Sequence, residues 1–219
     1  MRNVRRIIII IAIVAAGVFI ARRFHEQAVL QKIVGRLQAD SRVAEVLVTG
    51  VNYNEEFHKN FTTIKFLEYD AGGRPLEPKY FTFPGNTIQF QSLVVRFDDQ
   101  FVMAGDRLRG RSAYLFWKVF TLDGKETKEF PISYVQEIPG GYKIGTRPNV
   151  VEERFWKNFW GYAFDQPAAR RAGIKNVQIE APGTVFIPGY LYTIKIEHDG
   201  GLRIDTKLLP DIIRGEQIL

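Results

Sequence analysis

The apolar residues of this chain fall into three patterns: an unbroken run, a short stretch at helical spacing, and a long series at strand spacing. From Ile7 to Ala21 (IIIIIAIVAAGVFIA) 15 residues pass without a polar side chain. A helix apolar on every side belongs in hydrocarbon or deep in a protein. At ~1.5 Å per residue the run covers ~22 Å, short of the ~30 Å apolar layer of a bilayer. Extended from Val4 to Phe24 it reaches roughly 30 Å. The extension adds Arg5, Arg6, Arg22 and Arg23, whose stems lie along acyl chains while the guanidinium groups reach the headgroups. The expectation is a single transmembrane helix.

A cleaved signal peptide is the rival reading, since a basic start, an apolar core and small residues such as Ala15 and Gly17 also fit it. Cleavage after Gly17 would leave Val18, Phe19 and Ile20 at the new terminus, and no A-x-A site follows. A retained anchor is preferred. Arg2, Arg5, Arg6 and the terminal amine precede the run and only Arg22 and Arg23 closely follow it, so the positive-inside rule puts the N-terminus in the cytoplasm. The rest of the chain is then extracytoplasmic, periplasmic in a Gram-negative cell.

Between Phe24 and Ala39, Leu30, Ile33 and Leu37 recur at i, i+3 and i+7, the spacing of an amphipathic helix. The predicted division is a transmembrane anchor over 1–24, a juxtamembrane helix over 25–42 and one β-rich domain over 43–219.

Strand spacing begins at Val43. Val43–Tyr53 and Phe61–Tyr69 are rich in β-branched and aromatic residues, and strands are predicted again at Lys79–Phe83 and Thr87–Phe97. In the last, Ile88 and Phe90 set one alternation and Leu93, Val95 and Phe97 the other, which predicts a β-bulge near Gln91 and Ser92. Ala113–Leu122 and Glu126–Val135 flank Asp123-Gly124, a hairpin dipeptide. Pro131 in the second arm marks an edge strand or the end of pairing. Further strands are predicted at Asn176–Glu180, Val185–Ile187, Tyr190–Glu197 and Leu202–Thr206. One helix interrupts them at Val150–Phe164. Asn149 caps it, Glu152 completes a capping box, and Val151, Phe155, Trp156, Phe159, Trp160 and Ala163 share an apolar face. About ten short strands at turn spacing point to a mainly β fold, an antiparallel β-sandwich or open barrel with one aromatic-rich helix.

Charge changes the picture once it is divided. The chain carries +6, with 30 basic and 24 acidic residues, but seven of the basic and one of the acidic residues lie within 1–36, leaving 23 of each sign beyond. The β domain is neutral, which argues against nucleic acid as a partner. The absence of cysteine removes disulfides and thiolate chemistry. His25, His58 and His198 have no metal-ligand spacing, so neither a metal nor a cofactor is expected, and no phosphate-binding loop or nucleophile elbow occurs.

Three features remain as candidate chemistry. Arg107, Arg109 and Arg111 alternate in an extended stretch, a fork-donor set for a phosphate, an anionic lipid headgroup or an acidic glycan, or else a solvated loop balanced by Asp98, Asp99 and Asp106. Trp156 and Trp160, with Tyr162, Phe116 and Trp117, form either a sugar-stacking platform or the core face of the helix; the second is favoured. Asp98, Asp99, Asp106, Glu152 and Glu153 hold the carboxylates a glycosidase would need, but adjacent acids at turns and helix starts are ordinary. The expectation is a single-pass envelope protein whose ectodomain is a non-catalytic structural, assembly or protein-binding module. The alternative is a carbohydrate-binding or carbohydrate-processing ectodomain.

Overall fold

The computed structural model describes residues 2–36, 44–70, 72–97, 112–122, 127–145, 147–171, 174–196 and 201–213. The first element, α1 (Arg2–Arg36), is one helix that runs without a break through the apolar run and on to Arg36; the rest of the helical-spacing stretch and of the foreseen juxtamembrane helix, from Leu37, lies outside the described residues. Its described apolar side chains stand open, with Ile13 66 %, Phe19 62 % and Phe24 68 % exposed. Among the described residues no helix is long and apolar enough to cross a membrane.

Among the described residues ten strands follow: β1 (Ala44–Asn54), β2 (Lys59–Glu68), β3 (Lys79–Pro84), β4 (Thr87–Phe97), β5 (Ser112–Leu122), β6 (Thr127–Pro131), β7 (Ile174–Glu180), β8 (Gly183–Val185), β9 (Tyr190–Ile196) and β10 (Leu202–Leu208). They form two sheets, ordered β10-β9-β1-β2-β3 and β6-β5-β4-β7, with β8 pairing the start of β4. Every strand pair is antiparallel. The mainly β expectation therefore holds, as two antiparallel sheets with few helices.

One apolar layer joins the sheets. Val46, Ile64 and Phe66 of the first meet Ile88, Phe90 and Phe116 of the second. Phe66 stacks on Phe90 at 5.5 Å and meets Phe116 edge-on at 5.4 Å, the offset and T-shaped arrangements that aromatic quadrupoles favour. A second core covers the outer face of the second sheet, where α2 (Val150–Phe164) sets Trp156, Phe159 and Trp160 against Leu93, Leu115 and Tyr142.

This double coverage accounts for the slipped alternation in β4. The register does shift between Gln91 and Ser92, where predicted, but Gln91 faces Lys118 and Ser92 faces Phe116, so the extra residue is Trp117 on β5. In β4 itself Ile88 and Phe90 stay in the inter-sheet core while Leu93 lies under α2. The change read from sequence records a second core, not a flip of β4. It is β5 that flips: Phe116 and Val119 both enter the inter-sheet core across an odd step, with Trp117 turned to α2.

Three expectations need correction. The arm foreseen to Val135 ends at Pro131, because the N–H groups of Ile132 and Ser133 turn to the Trp117 carbonyl at 2.7 and 3.0 Å. β6 is also the edge strand that Pro131 implied. The strand foreseen at Val185–Ile187 is Gly183–Val185; Phe186 leaves the ladder to bury its ring 4.4 Å from Tyr192. Asn149 caps α2 by accepting from the N–H groups of Val151 and Glu152, both at 3.0 Å, but Glu152 accepts from Ile144 N–H at 3.0 Å rather than closing a capping box. That carboxylate, 1 % exposed, ties the preceding loop to the helix. The Asp123-Gly124 turn lies outside the described residues.

Two predictions follow from α2. Asn149→Ala, which orphans two amides, lowers unfolding free energy by ~1–2 kcal/mol in denaturant melts. Trp160 donates Nε1–H to the Glu137 carbonyl at 2.8 Å, whereas the buried Trp156 Nε1 has no partner among the described residues. Trp160→Phe therefore destabilises more than Trp156→Phe by ~1 kcal/mol in the same assay; equal losses would show that ring volume alone matters.

Candidate functional site

The strands of the first sheet are unequal in length, and this opens a cleft. β9 pairs with β1 only from Ala44 to Leu47, whereas the β1–β2 ladder continues to Asn54 and Lys59. The change comes at a bulge between Val48 and Gly50, where the extra residue Thr49 donates its hydroxyl to the Thr63 carbonyl. Beyond it the hairpin overhangs. There a cleft of about 390 Å³ is lined by Val51, Lys59, Asn60, Thr62, Gly85, Asn86, Phe186 and Pro188.

Three loops meet here and are held by main-chain bonds. Gly85 N–H donates to the Asn60 carbonyl at 2.7 Å, and Phe186 N–H to the Asn86 carbonyl at 2.8 Å. The Tyr192 hydroxyl donates to the Val185 carbonyl at 3.2 Å and accepts from Ile187 N–H at 2.9 Å. Burial pushes that phenol above its ordinary pKa against the opposing bond from Ile187, so it stays a neutral donor. Gly85 turns at φ 78°, a left-handed value that a side chain would disfavour.

The lining residues bring one ammonium, two carboxamides and one hydroxyl, with no carboxylate or imidazole among them. Such a set holds oxygen-bearing groups by hydrogen bonds and charge. It has no base to take a proton and no nucleophile–base pair. Such a lining is suited to binding oxygen-bearing groups. Among the described residues there is no group of His, Asp and Glu that could hold a metal ion.

The residues singled out in the sequence lie elsewhere. Arg107, Arg109 and Arg111, with Asp98, Asp99 and Asp106, are outside the described residues. Trp156 and Trp160 are 0 % and 1 % exposed. Tyr142 and Phe159 sit 4.9 and 5.0 Å from Trp156, and Phe164 stacks on Trp160 at 6.4 Å. No ring face is left for a sugar. Phe116 is in the inter-sheet core and Trp117 lies against Phe164, so the five aromatics never form one surface. Glu152 is buried and Glu153 exposed, which separates that acidic pair.

The cleft itself left no motif. Its residues come from three segments far apart in sequence, and only the turn clusters Pro84-Gly85-Asn86 and Pro188-Gly189 hinted at loops there.

Two titratable groups, Lys79 and Tyr69, mark the opposite end of the first sheet. Lys79 Nζ donates to the Ile132 carbonyl, tying β3 to the segment after β6. Burial holds its pKa below the usual lysine value, while Glu68, Glu137 and Glu77 oppose that shift. Tyr69 donates to Glu45 Oε2 at 2.6 Å, and this bond, with burial and the carboxylate's charge, pushes the phenol up to about 12. A phenol raised on folding favours the native state below the unfolded value of ~10 and loses that contribution as pH climbs from ~10 to ~12. Ultraviolet titration of the folded chain is accordingly expected to place Tyr69, like Tyr192, among the late-ionising tyrosines, and Glu45→Gln to bring the Tyr69 step alone back toward ~10. An unchanged titration in that variant would remove the bond from the account.

No family model, curated protein or solved structure matches this chain.

Proposed function

We propose that this chain is a single-pass membrane-anchored envelope protein whose two-sheet, sandwich-like body lies outside the cytoplasm and binds a protein partner as a structural or assembly module. The observation that carries this reading is the open apolar surface of α1. From Ile9 to Phe24 its large apolar side chains are 50–68 % exposed. Burying one such side chain contributes about 1.5–3 kcal/mol. A series of them therefore drives the helix into an apolar phase, and the arginines on either side suit the two headgroup layers.

The body supports the second half of the proposal. Its neutral balance gives no long-range pull toward polyanions. Its aromatic helix is committed to the core and the cleft beside the β1–β2 hairpin has no nucleophile–base pair in its lining. What remains is recognition. The helix α1 also approaches α2, which favours a body held close to the membrane surface rather than on a long tether.

Fractionation of the untagged chain tests the anchor. The intact chain is expected in membranes after high-salt and carbonate washes, with its C-terminus open to external protease. Arginine at the centre of a span costs ~2.5–3.5 kcal/mol, so Ile11→Arg combined with Val14→Arg is expected to release the chain into the soluble pool. Crosslinking from native membranes should recover a stoichiometric protein. An intact wild-type chain in the soluble pool, or a C-terminus shielded in the cytosol, would end this proposal.

A further inference from the structure

On the side that β9 occupies lower down, β1 has no strand partner above Leu47 among the described residues. From Gly50 to Asn54 it is nonetheless regular, laddered to β2 from Thr63 to Lys59. Among the described residues this leaves a lane without a strand, about 17 Å long at ~3.3 Å per residue, the length of an ordinary strand. Val51 and Tyr53 stand along it, 43 % and 60 % exposed. The cleft lies at its side, since Val51 lines that cavity together with Pro188.

We infer that the Gly50–Asn54 edge of β1 takes an extended segment of a protein partner as an added strand, with one acidic side chain of that segment entering the cleft. The inference deepens the partner-binding reading and rests on it. Main-chain pairing requires an open edge whose N–H and C=O groups keep strand geometry, and the β2 ladder holds this one in register. Side chains of an added strand alternate, so every second one points to the same face. The cleft supplies a place for one of them. Lys59, Asn60, Asn86 and Thr62 offer donors and no carboxylate, which matches an acid. Glu55 and Glu56 stand exposed at the hairpin tip, which disfavours a uniformly acidic segment and restricts the match to a single acid. A small free carboxylate would use the cleft but not the edge, so edge pairing is the feature that identifies a peptide.

The test uses the full chain in lipid nanodiscs. A displayed library of random nonapeptides is panned against it, and the tightest binder is synthesised as the probe. Hydrogen exchange at amides within Gly50–Asn54 is expected to slow at least 10-fold on binding. N-methylation of alternate peptide amides, which keeps the side chains, should weaken affinity at least 10-fold. Replacing the peptide's acid by its amide should weaken binding about 10-fold to the wild type and much less to Lys59→Gln. Protection along β3 or β10 instead, indifference to N-methylation, or a library that yields no binder would each overturn the inference. Strong protection of Gly50–Asn54 before peptide is added would do so too, because the chain itself would then fill the lane. A chain found in the soluble pool sinks the membrane reading and leaves this result standing, so the two failures are told apart.

Discussion

Strand β5 has to fill two cores at once, and much of the body's architecture follows from how it does so. A strand alternates its side chains between two faces, so one covered on both sides is apolar throughout. β5 sends Phe116 and Val119 to the inter-sheet layer and Leu115 and Trp117 to the layer beneath α2. The odd step between Phe116 and Val119 is absorbed by Trp117 as a bulge. The same residue's carbonyl then takes the N–H groups of Ile132 and Ser133 after Pro131. One irregularity thus directs an indole outward and gives two backbone donors a partner where β6 can no longer pair.

The burden of that arrangement is visible in the buried polar atoms. Gln91 Oε1 and Ser92 Oγ sit at the register shift, Gln178 belongs to the strand that pairs β4, and Trp156 Nε1 lies in the core outside it. All four lack a hydrogen-bond partner among the described residues, and an orphaned buried group costs ~1–3 kcal/mol. They gather where β4 and β5 are covered on both faces. The first sheet, with half-buried alternate positions on β1 and β2, carries none of them.

Legibility followed physical range. α2 was readable to its ends, because a capping asparagine and the 3.6-residue spacing of aromatic side chains act within a few residues. The strand positions other than the end of β6 and the placing of β8 were readable for the same reason, and so was the site of the register shift. What produced the bulge was not: two alternations in β4 look alike whether a strand flips or a helix covers its other face. Glu152 shows the same limit, since a capping box and a bond to Ile144 N–H need the same residue at the same place. The aromatic stripe of α2 was correctly weighed as core, yet no local pattern announced the cleft. Val51, Asn86 and Pro188 meet because β9 stops short of the hairpin, a fact set by which strands pair and not by any segment alone.

That shortfall of β9 has its own cause. Thr49 is the extra residue that breaks the β1 register just where β9 departs, and a bulge increases local twist. A neighbour following β1 further would have to accept the sharper twist. β9 instead begins at Tyr190, after a loop anchored by the Tyr192 hydroxyl and by the buried ring of Phe186. Leu209 N–H closes the far side on the Gly189 carbonyl. The loop is therefore fixed by side chains that belong to the core, so the same packing that holds the two sheets together keeps the hairpin overhanging, with no further strand on its β1 side among the described residues.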